Sequence, residues 1–332
     1  MCKYKVVSLF CGCGGLDLGF VGGFTFLGKK YDKNNLDIVY ANDINKCACE
    51  TYNYNFERKC CCEDVCDITT ADLPNCDIVI GGFPCQDFSL AGNRKGFSAE
   101  RGRLYKQMLR IVKEKKPMIF IAENVEGITL ELDGIIPIKI IEDDFSKLGY
   151  KVQYKLMNTA DYGVPQIRKR VIIVGVRGDI PSIYFYPTKK QEGWVTVRMA
   201  IDDLRSLLGT DKIANHTMKD FSKAKFNVNG KGQGNRRLKA DEPSITIRAE
   251  HHGNIEGHYR TLNDEDSNNP LNWRRLSVRE CARIQSFPDN FIFPCKASAA
   301  YRQIGNAVPP VFAWYIARSI TEFLDKICDL TK

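Results

Sequence analysis

KVVSLFCGCGGLDLG, residues 5–19, decides the fold. Residues 5–10 (KVVSLF) form a short β-branched apolar run, and Gly12, Gly14, Gly15 and Gly19 follow it. A strand, a glycine-rich turn and a helix are the first step of a doubly wound α/β fold. The turn lacks the Lys-Ser/Thr pair of a phosphate-cradling P-loop. Glycines at this place let the main chain approach a bound cofactor closely, although a glycine turn alone is also simply a tight turn.

Working outward, residues 37–41 (DIVYA) read as a second strand that runs into Asn42-Asp43. An acidic residue after the second strand is placed to accept hydrogen bonds from ribose hydroxyls. Together with the glycine turn it fits NAD, FAD or an adenosyl cofactor. Residues 76–80 (CDIVI) are another strand, leading into GGFPCQDFS at 81–89. Leu104, Met108, Ile111 and Val112 recur at helical spacing, and Pro117 stops that helix. Residues 118–122 (MIFIA) are the next strand, followed at once by Glu123-Asn124-Val125, and 171–176 (VIIVGV) are a later one. Strands alternate with helices to about residue 180, which predicts a mostly parallel sheet with helices on both faces. Ligands in such sheets bind at the carboxyl ends of the strands, so Asp43, Cys85 and Glu123 are expected on one edge.

From residue 186 to 272 the pattern weakens into Gly, Asn, Lys and short β-like pieces such as SITIR at 244–248. Helical periodicity returns at 277–286 and, beyond Pro309-Pro310, to 327. The expected organisation is a catalytic domain of residues 1–185 plus 305–332 and a smaller, irregular domain of 186–304. No repeat or low-complexity tract interrupts either.

The composition, 44% hydrophobic and 27% charged over 332 residues, is that of a soluble globular protein. No apolar run approaches the length of a membrane span, and the N-terminal residues lack a signal peptide's apolar stretch. A cytoplasmic location is expected. The chain has 14 cysteines, with Cys47 and Cys49 close together and Cys60, Cys61, Cys62 and Cys66 crowded. Without a secretory signal or paired CxxC units at finger spacing, they read as reduced thiols acting as small hydrophobes, with no metal. The net charge of +8 suits a polyanionic partner. Between Lys223 and Lys239 the chain carries Lys225, Lys231, Arg236 and Arg237 among glycines and no acid. That stretch reads equally as a phosphate-tracking segment or a solvated loop. His251, His252 and His258 are assigned to contact with that polyanionic partner or to packing rather than to a metal.

Three residues carry candidate chemistry. Cys85 sits behind Pro84, which fixes a backbone angle, and ahead of polar Gln86, Asp87 and Ser89. A thiol held there, outside an apolar core, is suited to nucleophilic attack. Glu123 ends a buried strand and suits proton donation. Arg168 and Arg170 alternate just before a strand, which would aim both guanidinium groups to one side.

In order and spacing, these motifs resemble those of the C5-cytosine-specific DNA methyltransferases along nearly the whole chain. FxGxGG at 10–15 is similar to the family's cofactor loop, Phe83-Pro84-Cys85-Gln86 to its nucleophile motif, and Glu123-Asn124-Val125 to its cytosine-binding motif. Gln166 to Arg170 is similar to the QxRxR motif, residues 279–288 to the late helix motif and residues 305–309 to the last motif. The resemblance implies the S-adenosylmethionine-dependent methyltransferase fold, a target-recognition role for the smaller domain, and S-adenosylmethionine as cofactor. It implies catalytic roles for Cys85, Glu123 and Arg168. Implied cofactor contacts are Phe10, Gly12, Gly14, Asp43, Ile44, Asp67, Ile68, Pro84, Asn306 and Val308, with Asp43 and Ile44 departing from the commonest residues there. Implied DNA contacts are Ser89, Arg94, Lys95 and Arg101 in the loop after the nucleophile, then Arg170, Arg236, Arg237, Thr246 and Arg248.

The implied partner is double-stranded DNA, met by a monomer with no obligate protein partner; a cognate restriction endonuclease, where one exists, is a separate chain. The implied activity is methyl transfer to carbon 5 of a flipped-out cytosine in a short specific sequence, through a Cys85 adduct at carbon 6. The competing readings are a tRNA cytosine methyltransferase with the same motifs, a nucleic-acid-binding protein without catalysis, and an NAD enzyme.

Overall fold

The computed structural model describes residues 3–84, 103–131, 134, 136–189, 193–210, 212–220, 236–249, 258–261 and 273–330. The opening stretch forms strand β1 (Tyr4–Leu9), a turn, and helix α1 (Gly15–Val21). A small hairpin, β2 (Phe24–Phe26) and β3 (Lys29–Tyr31), leads to β4 (Leu36–Asp43) and α2 (Lys46–Asn55). The chain continues through β5 (Cys61–Cys62), β6 (Ile78–Gly81), α3 (Arg103–Lys115), β7 (Ile119–Val125), α4 (Pro137–Lys147), β8 (Tyr150–Asn158) and β9 (Lys169–Arg177).

These strands make one seven-stranded sheet in the order β5-β4-β1-β6-β7-β9-β8. Every neighbouring pair from β5 to β7 is parallel; β9 alone runs against its neighbours. It pairs Ile172 with Glu123 and Arg170 with Val125. The start of β9 therefore reaches the edge where β1, β4, β6 and β7 end.

The strands are apolar on both faces, as a sheet covered by two helix layers requires. Ile78, Ile80, Ile119 and Ile121 pack with Phe20, Tyr52 and Phe312 on one side. Val79, Phe120 and Ala122 pack with Met108, Ile111, Ile141 and Phe145 on the other. The long last helix, α8 (Pro310–Leu330), lies against α1 through Gly19: a Cβ there would stand 2.3 Å from the Ala313 Cβ. Glycine is what lets the two helices approach this closely.

Between β9 and α8 lie α5 (Val197–Ile201), three short strands β10 (Arg236–Arg237), β11 (His258–Thr261) and β12 (Trp273–Arg275), then α6 (Val278–Ile284) and α7 (Ala297–Asn306). A third core joins Val197, Ile201, Leu276, Cys281, Phe287, Phe293 and Tyr301 with Cys13 of the glycine turn. Inside it, buried Arg279 donates to the carbonyls of Ala214, Pro288 and Phe291 at 3.0, 3.0 and 2.7 Å, and burial lowers its pKa to about 10.

The β-like reading of SITIR is corrected. Residues 244–248 make only an isolated bridge, Ser244 to Gln166. Their polar groups are taken up by the segment before β9: Ile167 N–H donates to Ser244 O at 2.8 Å, and the Thr246 hydroxyl donates to Ile167 O at 2.8 Å. Among the described residues no helix is long and apolar enough to cross a membrane.

Candidate active site

A cavity of about 830 Å³ opens at the carboxyl edge of the parallel strands. Its walls come from both ends of the chain: Phe10 and Gly12 after β1, Asp43 and Ile44 after β4, Pro84 after β6, Glu123 on β7, and Asn306 and Val308 after α7. These residues stand hundreds of positions apart in sequence, and the doubly wound topology brings them together.

The turn after β1 is held in a tight form. Phe10, Gly12 and Gly14 all have positive φ, at 54°, 57° and 91°. For Phe10 this is a strained conformation, the kind that surrounding structure must impose. Asp43 imposes part of it. One carboxylate oxygen accepts the Gly12 N–H at 2.8 Å and the other accepts the Asn45 N–H at 2.8 Å, joining the turn to the start of α2. Burial raises the pKa of Asp43, and its main-chain donors, Asn45 first, oppose that. A Cβ at Gly12 would meet nothing within 4 Å, so space lies open against the main chain here. Ile44 presents an exposed aliphatic side chain at the rim. A carboxylate with lone pairs to spare, a bare glycine face and an apolar rim fit the ribose and adenine of an adenosyl cofactor.

Three expected cofactor positions lie outside the cavity wall. Asp67 is exposed and Ile68 is buried in the core between sheet and helices, and neither lines the cavity. Asp64 and Val65, the preceding acid–aliphatic pair, line it instead. Gly14 is also absent from the wall: it faces Phe56 and Tyr52, and a Cβ would stand 2.4 Å from the Phe56 ring.

Glu123 and Asn124 end β7 within the cavity wall. The Asn124 amide donates to the Phe83 carbonyl at 3.0 Å, fastening the chain two residues before Cys85. Arg170 extends from β9 to place its Nε 2.8 Å from Glu123 Oε1, and both side chains are largely buried. Arg168 lines the same cavity as Arg170, as their alternation suggests. Its guanidinium is wholly buried and donates to the carbonyls of Ile247 at 2.9 Å, Gly305 at 2.8 Å and Ala307 at 3.1 Å. Burial, then the charge of Arg170, lowers the Arg168 pKa, and the Glu123 charge acts the other way. Gln166 reinforces the same junction, accepting the Ile247 N–H at 2.9 Å.

Of the expected DNA contacts, Thr246 is committed to Ile167, Arg248 is exposed, Arg237 is half-buried, and only the main chain of Arg236 is described. Cys85, Ser89, Arg94, Lys95 and Arg101, with His251 and His252, lie outside the described residues. No cluster of His, Cys, Asp or Glu among the described residues is arranged to hold a metal ion.

A doubly wound sheet with a carboxylate–arginine pair beside a cofactor-sized cavity defines an enzyme of the methyltransferase fold class. The chain belongs to the C-5 cytosine-specific DNA methylases: the family model matches residues 4–322. It is 37% identical to the Type II methyltransferase M.NgoFVII of Neisseria gonorrhoeae, over 96% of this chain and 86% of that one. It is 37% identical to M.MthTI of Methanothermobacter thermautotrophicus, over 97% and 98%. Among solved structures, the Entamoeba histolytica methyltransferase EhMeth aligns with a TM-score of 0.71 at 17% identity, over 98% of this chain and 99% of that one. The S. pombe Dnmt2 methyltransferase gives 0.69 at 20%, with the same coverage. At these identities the structures speak for the fold alone.

Proposed function

We propose that this DNA cytosine-5-methyltransferase takes its methyl group from S-adenosylmethionine and places it on a cytosine flipped out of a short double-stranded sequence. The observation that carries the reading is the Arg170–Glu123 pair, 2.8 Å apart, on the wall of the cavity that also exposes Gly12 and Asp43.

Carbon 5 of cytosine is a weak nucleophile. A thiolate added at carbon 6 makes the ring enamine-like and lets carbon 5 attack an electrophilic methyl. Cys85 supplies that thiolate. Glu123 holds ring N3 and its proton, which draws electrons from carbon 6. Arg170 fixes the Glu123 carboxylate and faces the base, so it takes the role that the QxRxR resemblance gave to Arg168. Arg168 acts as a positioning residue that ties the recognition segment at Ile247 to the cofactor segment at Gly305 and Ala307. When bound, S-adenosylmethionine would supply the methyl sulfonium; Asp43 would accept from its ribose, Asp64 and Ile44 would hold its adenine, and Gly12 would leave it room. The base must leave the duplex stack for this chemistry, at a cost of a few kcal/mol. Basic residues after Cys85 and in the smaller domain offset that cost through phosphate contacts.

The named relatives are Type II methyltransferases, which supports a role in protecting DNA from a cognate restriction enzyme carried on a separate chain. Bisulfite sequencing of plasmid from a host without cytosine methylation tests the whole reading. Protected cytosines in one recurring short sequence are expected with the native chain and none with Cys85→Ala. Protection that survives Cys85→Ala would overturn the covalent mechanism, and protection confined to small RNA would overturn the substrate.

A further inference from the structure

Four cysteines line up beneath the cofactor turn. Cys11, in the turn itself, has its Sγ 3.4 Å from that of Cys60. Cys60 Sγ is in turn 3.4 Å from Cys49 Sγ on α2, and Cys49 acts on Cys62, raising the pKa of that thiol. Cys11, Cys49 and Cys60 are buried, whereas Cys62 is exposed. The row also touches the cavity's walls: Cys49 donates its thiol proton to Asp43 O at 3.3 Å, and Cys11 itself lines the cavity. An ordinary core scatters its cysteines as small hydrophobes; here sulfur leads from the surface to the residue beside Gly12.

We propose that Cys62, Cys49, Cys60 and Cys11 form an oxidation site, in which a disulfide made at the surface by a peroxide passes inward and distorts the cofactor turn. A peroxide oxidises the Cys62 thiol to a sulfenic acid and releases water. The Cys49 thiol displaces the sulfenic hydroxyl, forming a Cys62–Cys49 disulfide and a second water. The Cys60 thiol then attacks Cys49 sulfur, losing its proton to solvent and returning Cys62 to the thiol. Cys11 repeats the exchange on Cys60 and returns Cys49. The sum is one peroxide reduced, two thiols oxidised and two waters formed, with every later step an exchange.

Exposure sets where oxidation enters: Cys62 is open to solvent, whereas Cys11, Cys49 and Cys60 are buried. Burial pushes the Cys11 thiol up to about 12, and the neighbouring sulfurs raise Cys49, Cys60 and Cys62, so each step of the relay is slow. A disulfide needs its sulfurs about 2.05 Å apart, so a pair at 3.4 Å must close by about 1.4 Å. Closing Cys11 onto Cys60 draws the main chain next to Gly12 away from the cavity and strains the Gly12–Asp43 hydrogen bond. The expected consequence, which rests on S-adenosylmethionine binding there, is weaker cofactor binding.

The test uses the full chain treated with hydrogen peroxide and digested without reduction. Because Cys85 is itself oxidisable, the functional readout is S-adenosylmethionine binding by calorimetry rather than turnover. Disulfide-linked peptides joining Cys60 to Cys11 or Cys49 are expected, with affinity falling tenfold or more and returning on addition of dithiothreitol. Cys60→Ala should keep its affinity through the same treatment, and Cys62→Ser should form the inner linkage more slowly. Oxidation confined to Cys62 without linked peptides would overturn the proposal. So would linked peptides at unchanged affinity, or an equal loss of affinity in Cys60→Ala. Should the untreated protein fail to bind S-adenosylmethionine, the cofactor reading falls by itself, while the peptide map still decides the relay.

Discussion

Arg170 Nε stands 2.8 Å from Glu123 Oε1 across the β7–β9 ladder, whereas Arg168, two residues earlier, turns into three main-chain carbonyls. The two arginines therefore fail differently when removed. Arg170→Ala should fold normally and lose about 10²–10³ in methyl-transfer kcat. Arg168→Ala should lower stability by about 3–5 kcal/mol, because buried acceptors lose their donors. Even Arg168→Lys should lose much of this, since an ammonium cannot span the same fork. Single-turnover kinetics and denaturant melts on the three variants separate these outcomes; a stable but inactive Arg168→Lys would reverse the assignment.

Asp64→Ala should weaken S-adenosylmethionine binding about tenfold, a loss of roughly 1.4 kcal/mol. Asp67→Ala should leave it unchanged, since Asp67 lies outside the cavity. Calorimetric titration of both variants decides which acid–aliphatic pair serves the cofactor.

Asp17 is fully buried, and its carboxyl takes a hydrogen bond from Ser8 Oγ at 2.7 Å. Burial raises its pKa from the ordinary 3.8 to about 6. Between those values the folded chain holds a proton that the unfolded chain has released, so stability falls as pH rises through this window and stays lower above it. Asp17→Asn keeps an acceptor for Ser8 without the buried charge. It should match the native melting temperature near pH 4 and exceed it above pH 6, by an amount equivalent to about 2–3 kcal/mol. Melts across that pH range that run parallel would refute this.

Gly12→Ala and Gly19→Ala should part company. At Gly12 the left-handed φ costs about 1–2 kcal/mol, but the new methyl group meets no protein atom, so the chain folds and cofactor binding suffers. At Gly19 the methyl group would overlap Ala313 and the Pro310 carbonyl, so α1 lifts from α8 and the melting temperature drops. Comparing melting temperature with cofactor affinity for each variant checks the contrast.

Much of the site was readable because parallel strands buried on both faces are apolar runs with sharp ends. Asp43, Pro84 and Glu123 each sit at such an end, and the cavity wall includes all three. The errors have physical causes. Asp64-Val65 and Asp67-Ile68 are the same pattern three residues apart, and only the path of the chain after β5 separates them. Alternation put both Arg168 and Arg170 on the cavity wall, but it could not show that the Arg168 guanidinium is taken up by the carbonyls of Ile247, Gly305 and Ala307. Strand β8 carries Lys and Gln among its apolar residues because it is the sheet's edge, and local pattern alone does not reveal it. The union of residues 244–248 with 165–168 is a long-range pairing of side chains and carbonyls that no local signal encodes.

The cavity's construction has a consequence for the order in which the protein becomes competent during synthesis. Phe10 and Gly12 are made well before Asn306 and Val308, yet all four form one wall, and Arg168 is anchored by Gly305 and Ala307. A nascent chain halted before that segment carries Cys85, Glu123 and both arginines without a complete cavity wall. The cavity is thus complete only once the segment after α7 has been made and has closed against the turn after β1.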